Sequence, residues 1–365
     1  MKKWLLTLCM VLALAACKEE KKEETQANAD NKPVIKIGAV LPLTGDNSVV
    51  GTAVKFGALA AIEDKAKGNL KYHYEAVFED NQQQPAKTAT ATNKLIMMDK
   101  ANMVLSFTTG IGRVVAPLAE NAKILHMCST LEDENATPMG KTSFFQGPTL
   151  QTYRQLVFKA LQQEKVSKLA LLAANVGVAC SGTEKLAEAL KAKGMETKVE
   201  CFNPSDLDFR FVIQKYQAQG FNHFYIQFWP PQSNILLRQL SENNVTPNHI
   251  FGSGIDVDTD TSLYNGIHCF GGNSGTPEFI NRLMEEYHIN NVYMAASAYD
   301  LISLAIDAFE NVEDVNNIDE ILAYIKAYAT RKCLSGDCKL LNNGFIANKA
   351  EWRTYKDGKP VFLGD

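Results

Sequence analysis

Short β-rich apolar runs alternate with longer stretches of helical apolar spacing twice along this chain of 365 residues, and few folds satisfy that alternation. In the first series Val34–Val40, Tyr72–Phe78, Met103–Phe107 and Ile124–Met127 read as strands. Between them Ala53–Lys67, Pro85–Met98 and Arg113–Ala122 read as helices. A second series begins near Phe144. Helices are predicted over Gln151–Gln163, Thr183–Lys193, Phe209–Gln219 and Ile235–Asn243. They alternate with strands over Lys168–Ala173, Thr197–Phe202, His223–Phe228 and His249–Gly252. Two helices, Met294–Glu310 and Ile318–Thr330, then precede short strands around Phe345–Ala347 and Trp352–Tyr355. Strands separated by helices imply parallel sheets covered by helices. The expected fold class is therefore α/β, with two doubly wound lobes of similar size.

Bulk composition agrees. A chain of 365 residues is long for one core, and 46% hydrophobic residues with 18 Phe support well-packed bodies. The net charge of −4 comes without a basic stripe, so nucleic acid is not an expected partner. After the first residues no run is long and apolar enough to span a membrane.

The N-terminus is an address. Lys2 and Lys3 precede an apolar run from Trp4 to Leu14, too short for a span, and small residues then lead to a cysteine. Leu14-Ala15-Ala16-Cys17 resembles the lipobox of bacterial lipoproteins. That resemblance implies a signal peptide over residues 1–16 and lipid on Cys17, hence a lipid-anchored, extracytoplasmic protein of the cell envelope. Lys18–Lys32 is polar and charged and reads as a flexible tether. Of the eight cysteines, Cys9 leaves with the leader and Cys17 is assigned to lipid. In an exported protein the others suggest disulfides. Cys333 and Cys338 flank the turn-like Leu-Ser-Gly-Asp, and Cys180 and Cys201 each follow a predicted strand, so those two pairs are expected. Cys128 and Cys269 read as buried thiols. Nothing in the spacing of Cys and His calls for a metal, and no cofactor motif is present.

The order of the pieces resembles the leucine/isoleucine/valine-binding protein family of type I periplasmic solute-binding proteins. The residues that carry it are Ile35–Gly45 with Gly51, Phe78-Glu79-Asp80-Asn81, Pro85-Ala86-Lys87, Asn93–Ile96, Asp208-Phe209, Ala218–Phe221, Ala298-Tyr299-Asp300 and Tyr355–Lys359. The similarity runs from about Val34 to Val361. It implies two lobes joined by three crossovers that close on a small solute. By analogy the first lobe spans residues 34–146 and 276–333, the second 147–275 and 334–365, after a tether over 17–33.

In doubly wound sheets ligands bind beyond the C-terminal strand ends. Thr108-Thr109-Gly110 lies between a strand and a helix, where hydroxyls and helix N–H groups suit a carboxylate; the same residues also suit a plain helix cap. The family places carboxylate-binding hydroxyls in this loop, which implies Thr108 and Thr109. It likewise implies Ser129 and Thr130 after the next strand, Val50 in the first loop, and Trp229 after the strand His223–Phe228. Arg113 and Glu132 are further charged candidates, Glu132 as a substitute acid for an ammonium group. The acid that amino-acid-binding members carry after His249–Gly252 aligns with Gly254, with Asp256 two residues on as the expected replacement. The family's tyrosine-glycine after Lys168–Ala173 is replaced by Asn175–Cys180.

The expected function is capture of an amino acid or similar small solute and its delivery to an ABC permease. The alternative is an envelope sensor that regulates a partner protein. An enzyme is not expected, because no nucleophile elbow, metal motif or phosphate loop is present.

Overall fold

The computed structural model describes residues 32–45, 47–132, 134–176, 179–255 and 261–364. The leader, Cys17, most of the tether and Asp256 lie outside the described residues. The first run of elements is β1 (Val34–Leu41), α1 (Ser48–Ala66), β2 (His73–Asp80), α2 (Pro85–Met97), β3 (Met103–Phe107), α3 (Thr109–Ala122), β4 (Leu125–Ser129) and β5 (Ser143–Pro148). The second is α4 (Leu150–Gln163), β6 (Lys168–Ala174), α5 (Ala179–Lys191), β7 (Glu196–Phe202), α6 (Arg210–Ala218), β8 (His223–Gln227), α7 (Gln232–Glu242), β9 (Ile250–Ser253) and β10 (His268–Gly272). The chain ends with α8 (Pro277–Glu286), α9 (Ala295–Asn311), α10 (Ile318–Ala327), β11 (Thr330–Cys333), β12 (Gly336–Leu340), β13 (Phe345–Asn348), β14 (Ala350–Lys356) and β15 (Lys359–Gly364).

These strands form two sheets, ordered β11-β12-β13-β5-β4-β3-β1-β2 and β15-β14-β10-β9-β8-β6-β7. Strands β1 to β5 and β6 to β10 pair in parallel, and the antiparallel strands sit toward one edge of each sheet. Every residue of β3 and β4 is buried, as expected for parallel strands covered on both faces. One face of the first sheet packs on α1, α9 and α10, joining Ile37, Leu105, Met127, Val54, Ile302 and Ile321 in one core. The second sheet has a core on each face, one around Phe209, Phe224 and Phe228, the other around Tyr153, Leu171, Tyr225 and Trp352.

The chain crosses between sheets three times, after β5, after β10 and after β13. Hydrogen bonds tie these crossings together. The Ser274 amide and hydroxyl donate to Glu351 at 2.9 and 3.1 Å, and Gln146 Nε2 donates to Asp300 and to Ser335 Oγ, both at 3.1 Å.

The C-terminal stretch departs from expectation. Residues 334–365 were placed with the second lobe, yet β12 and β13 pair into the first sheet, and only β14 and β15 join the second. The cause is local: the Cys333–Cys338 disulfide closes β11 and β12 into a hairpin, and β13 then continues in parallel with β5. Strand β5 pairs in parallel with β4 in the first sheet. Both expected disulfides are present, with Cα–Cα distances of 5.8 Å for Cys180–Cys201 and 5.9 Å for Cys333–Cys338. Cys128 and Cys269 are buried free thiols.

Candidate functional site

The loops that leave the C-terminal ends of β3 and β4 meet side by side. The chain leaves β3 at Thr108, whose φ of 70° is left-handed backbone that a β-branched residue rarely adopts. Three hydrogen bonds hold it there. Its amide donates to Ser129 O at 3.0 Å, its carbonyl accepts from Gly112 N at 2.8 Å, and its hydroxyl accepts from Gln83 Nε2 at 2.7 Å. Helix α3 therefore starts at Thr109, four residues earlier than the sequence suggests, and no side chain caps its first turn. Thr109 Oγ1 lies 2.8 Å from Thr130 Oγ1. Gly147 makes this possible, since a Cβ on it would overlap the Thr130 carbonyl. Ser129 ends β4 with a buried hydroxyl that has no hydrogen-bond partner.

The strands beneath are pinned by one histidine. His126 Nε2 lies 2.8 Å from Ser106 Oγ and its Nδ1 2.9 Å from Ser143 Oγ, which links β3, β4 and β5. Burial pushes its pKa down to about 3, so the ring is neutral at physiological pH. Burial also pushes the Cys128 thiol up to about 12, which leaves it inert. At the rim, Asp80 accepts from the amides of Leu43, Gln82 and Thr44 at 2.9, 3.0 and 3.3 Å, and from the Thr44 hydroxyl. Burial alone raises this carboxyl, but those hydrogen bonds outweigh it and hold it below its usual value.

From the second sheet, Trp229 follows β8 and precedes a cis peptide between Pro230 and Pro231. It is half-buried and packs against the cores of both lobes. It also lies against Gly254, where φ is +70° and a Cβ would come 2.7 Å from the indole Nε1. The other face of the second sheet carries a polar cluster that sequence reading missed. Tyr153 Oη lies 3.0 Å from Tyr225 Oη, which donates to Gln227 Oε1 at 3.3 Å, and Thr183 Oγ1 donates to the same oxygen at 3.1 Å.

The sequence matches the family of periplasmic binding proteins over residues 34–331. This chain belongs to that family. A Leu/Ile/Val-binding protein homolog of Brucella abortus is 23% identical over 350 residues, covering 89% of this chain and 92% of the relative. The fold of this binding protein is similar to that of a leucine-binding protein from Thermotoga maritima, with a TM-score of 0.77 at 18% identity, covering 90% of this chain and 98% of that one. It is equally similar to an ABC-transporter solute-binding protein from R. palustris solved with 4-hydroxybenzoate, with a TM-score of 0.76 at 18% identity and coverage of 90% and 95%.

Within the binding protein the remaining sequence candidates separate. Thr108, Thr109, Ser129 and Thr130 come together, and Trp229 spans both lobes. Val50, at 4% exposure, belongs to the first-lobe core. Glu132 is buried at the first crossing, bridges to Thr149 and lies 3.9 Å from Arg113. Arg113 also donates to the Thr137 carbonyl at 3.3 Å. Among the described residues, two trios have metal-ligand spacing, Cys180–Glu184–Cys201 and Asp300–Cys333–Cys338. Each contains both sulfurs of a disulfide, which leaves a single carboxylate.

Proposed function

We propose that this periplasmic binding protein captures an amino acid or related small acid between its lobes and delivers it to an ABC permease. Thr108, Thr109, Ser129 and Thr130 hold the carboxylate end, and Trp229 covers the apolar part. On this reading Cys17 carries lipid, the charged segment after it is the tether, and the protein works outside the cytoplasm at a membrane. The observation that carries it is the pairing of a hydroxyl-lined helix start on one lobe with an aromatic side chain that packs on both cores. Closure around a solute would add ligand contacts to those Trp229 already makes, and so favour the closed state.

The family's range supports this solute class. A relative carries the name Leu/Ile/Val-binding protein homolog, and solved neighbours hold isoleucine or 4-hydroxybenzoate. The test is a thermal-shift screen of amino acids, amides, aromatic acids and short peptides. A ligand selective for the folded state raises the melting temperature, by about 2.7 kcal/mol of stability at 100 Kd. At least one acid is expected to shift it. No shift with any compound of the screen contradicts the reading.

A further inference from the structure

One serine ties two of the three crossings together. Ser335 lies in the turn between β11 and β12, and its hydroxyl accepts from Gln146 Nε2 at 3.1 Å and from Asn348 Nδ2 at 2.8 Å. Gln146 is on β5 just before the first crossing, and Asn348 ends β13 at the third. The serine's own proton goes to Asp300 of α9, which also accepts from the amides of Leu334 and Ser335 at 2.7 and 3.0 Å. Gln146, Asp300, Ser335 and Asn348 are all buried. The amide oxygens of Gln146 and Asn348 have no hydrogen-bond partner, so each amide is anchored through its nitrogen. What fixes the serine is covalent. The Cys333–Cys338 bond closes Leu334–Asp337 into a loop, whereas β11 itself is exposed or half-buried. Cys180–Cys201 has no such place, since it joins α5 to β7 within the second lobe.

We propose that the Cys333–Cys338 disulfide is a redox-sensitive clamp on the hinge. Intact, it holds Ser335 between the first and third crossings and favours the arrangement in which Trp229 packs on both cores. Reduced, it frees the turn and lets the lobes part. Cys333 is half-buried and Cys338 is 3% exposed, so a dithiol reductant attacks at Cys333. One thiolate of the reductant bonds to Cys333 Sγ, the S–S bond breaks, and its electron pair passes to Cys338 Sγ. That sulfur lies within 4.8 Å of an Asp300 carboxylate oxygen, so it takes a proton rather than staying charged. The second thiol of the reductant loses its proton to solvent and closes onto the first, which releases Cys333 as a thiolate. Arg331 Nε, 3.3 Å from Cys333 Sγ, stabilises that charge. The dithiol leaves as a disulfide, and its two electrons now reside in the two protein sulfurs.

The test compares the two disulfides by acrylamide quenching of Trp229, in a W352F background and without solute. C333S/C338S is expected to raise the quenching constant about twofold, as the lobes part around the indole. C180S/C201S should leave it unchanged. Dithiothreitol added to C180S/C201S, where Cys333–Cys338 is the bond left to reduce, should then bring the same twofold rise. S335A keeps the disulfide but removes the shared hydroxyl, and should match C333S/C338S. Stability should run the other way. C333S/C338S is expected to melt closer to the parent than C180S/C201S does, because 5 residues separate the first pair and 21 the second. Unchanged quenching in C333S/C338S, in S335A or after reduction overturns the clamp, and so does an equal rise in unreduced C180S/C201S. If C333S/C338S does not fold, S335A and the dithiothreitol arm decide. None of these readouts needs a solute, so their failure leaves solute capture standing, and failure of the thermal-shift screen leaves the clamp standing.

Discussion

The two candidate faces are built in opposite ways. On the first lobe nearly every polar group is held by a neighbour close in the fold: Thr108 by Gln83 and Ser129, Thr109 by Thr130, Asp80 by the Thr44 loop. Its donors are short hydroxyls and helix N–H groups, preset by backbone geometry. The second lobe offers long side chains, Trp229, Tyr153 and Tyr225, gathered from a loop, a helix and a strand. The difference suggests a division of labour. On the proposed function, a face of preset hydroxyls fixes one end of a solute and an aromatic face covers the rest.

That contrast can be broken by substitution. The largest effect is expected at the Cys180–Cys201 disulfide, which ties the start of α5 to the end of β7 in the second lobe. Replacing both cysteines by serine should cost about 3 kcal/mol for a loop of this size, measured by urea unfolding under non-reducing conditions, with the first lobe's melting little changed. Next is Trp229→Ala, expected to lose about 2–3 kcal/mol of binding free energy in calorimetry, as for a central aromatic anchor. A loss confined to stability, with affinity intact, would remove Trp229 from the site.

The first lobe answers to pH. His126 has its folded pKa depressed to about 3 by burial, below the ordinary value of 6.5. Its neutral form therefore contributes stability that is fully present above about 6.5 and is lost as pH falls toward 3. Between pH 7 and 5 this amounts to about 2 kcal/mol, and His126→Gln should flatten that part of the stability profile. The smallest effect is Thr109→Val. Loss of the hydrogen bond to Thr130 should cost about 1 kcal/mol in acid affinity, and Thr130→Val added to it should cost little more, since the two hydroxyls act as a pair.

The same contrast explains what was legible in the sequence. The β-α alternation, the family and the two disulfides were read correctly, because periodicity and cysteine placement are local signals. The first-lobe loop was legible too, since Thr108, Thr109, Ser129 and Thr130 directly follow two strand ends. The Tyr153–Tyr225–Gln227–Thr183 cluster was not, because Tyr153 and Tyr225 are 72 residues apart and meet only when the sheet forms. Strands β11 and β12 were missed because Thr330–Cys333 is polar and half-exposed, and a disulfide rather than an apolar face defines the hairpin. Val50 shows the limit of analogy: its place beside Gly51 suggested ligand contact, and the packing of α1 on the sheet puts it in the core.

Capture of a solute between the lobes is tested most directly by the emission of Trp229. Beyond the leader the only other tryptophan is Trp352, fully buried in the second lobe at 2% exposure. In a W352F background, titration with the acid that gives the largest thermal shift should change the Trp229 emission saturably, with a midpoint equal to the calorimetric Kd. An unchanged spectrum at saturating acid would mean that the solute binds elsewhere, and would contradict the cleft described above.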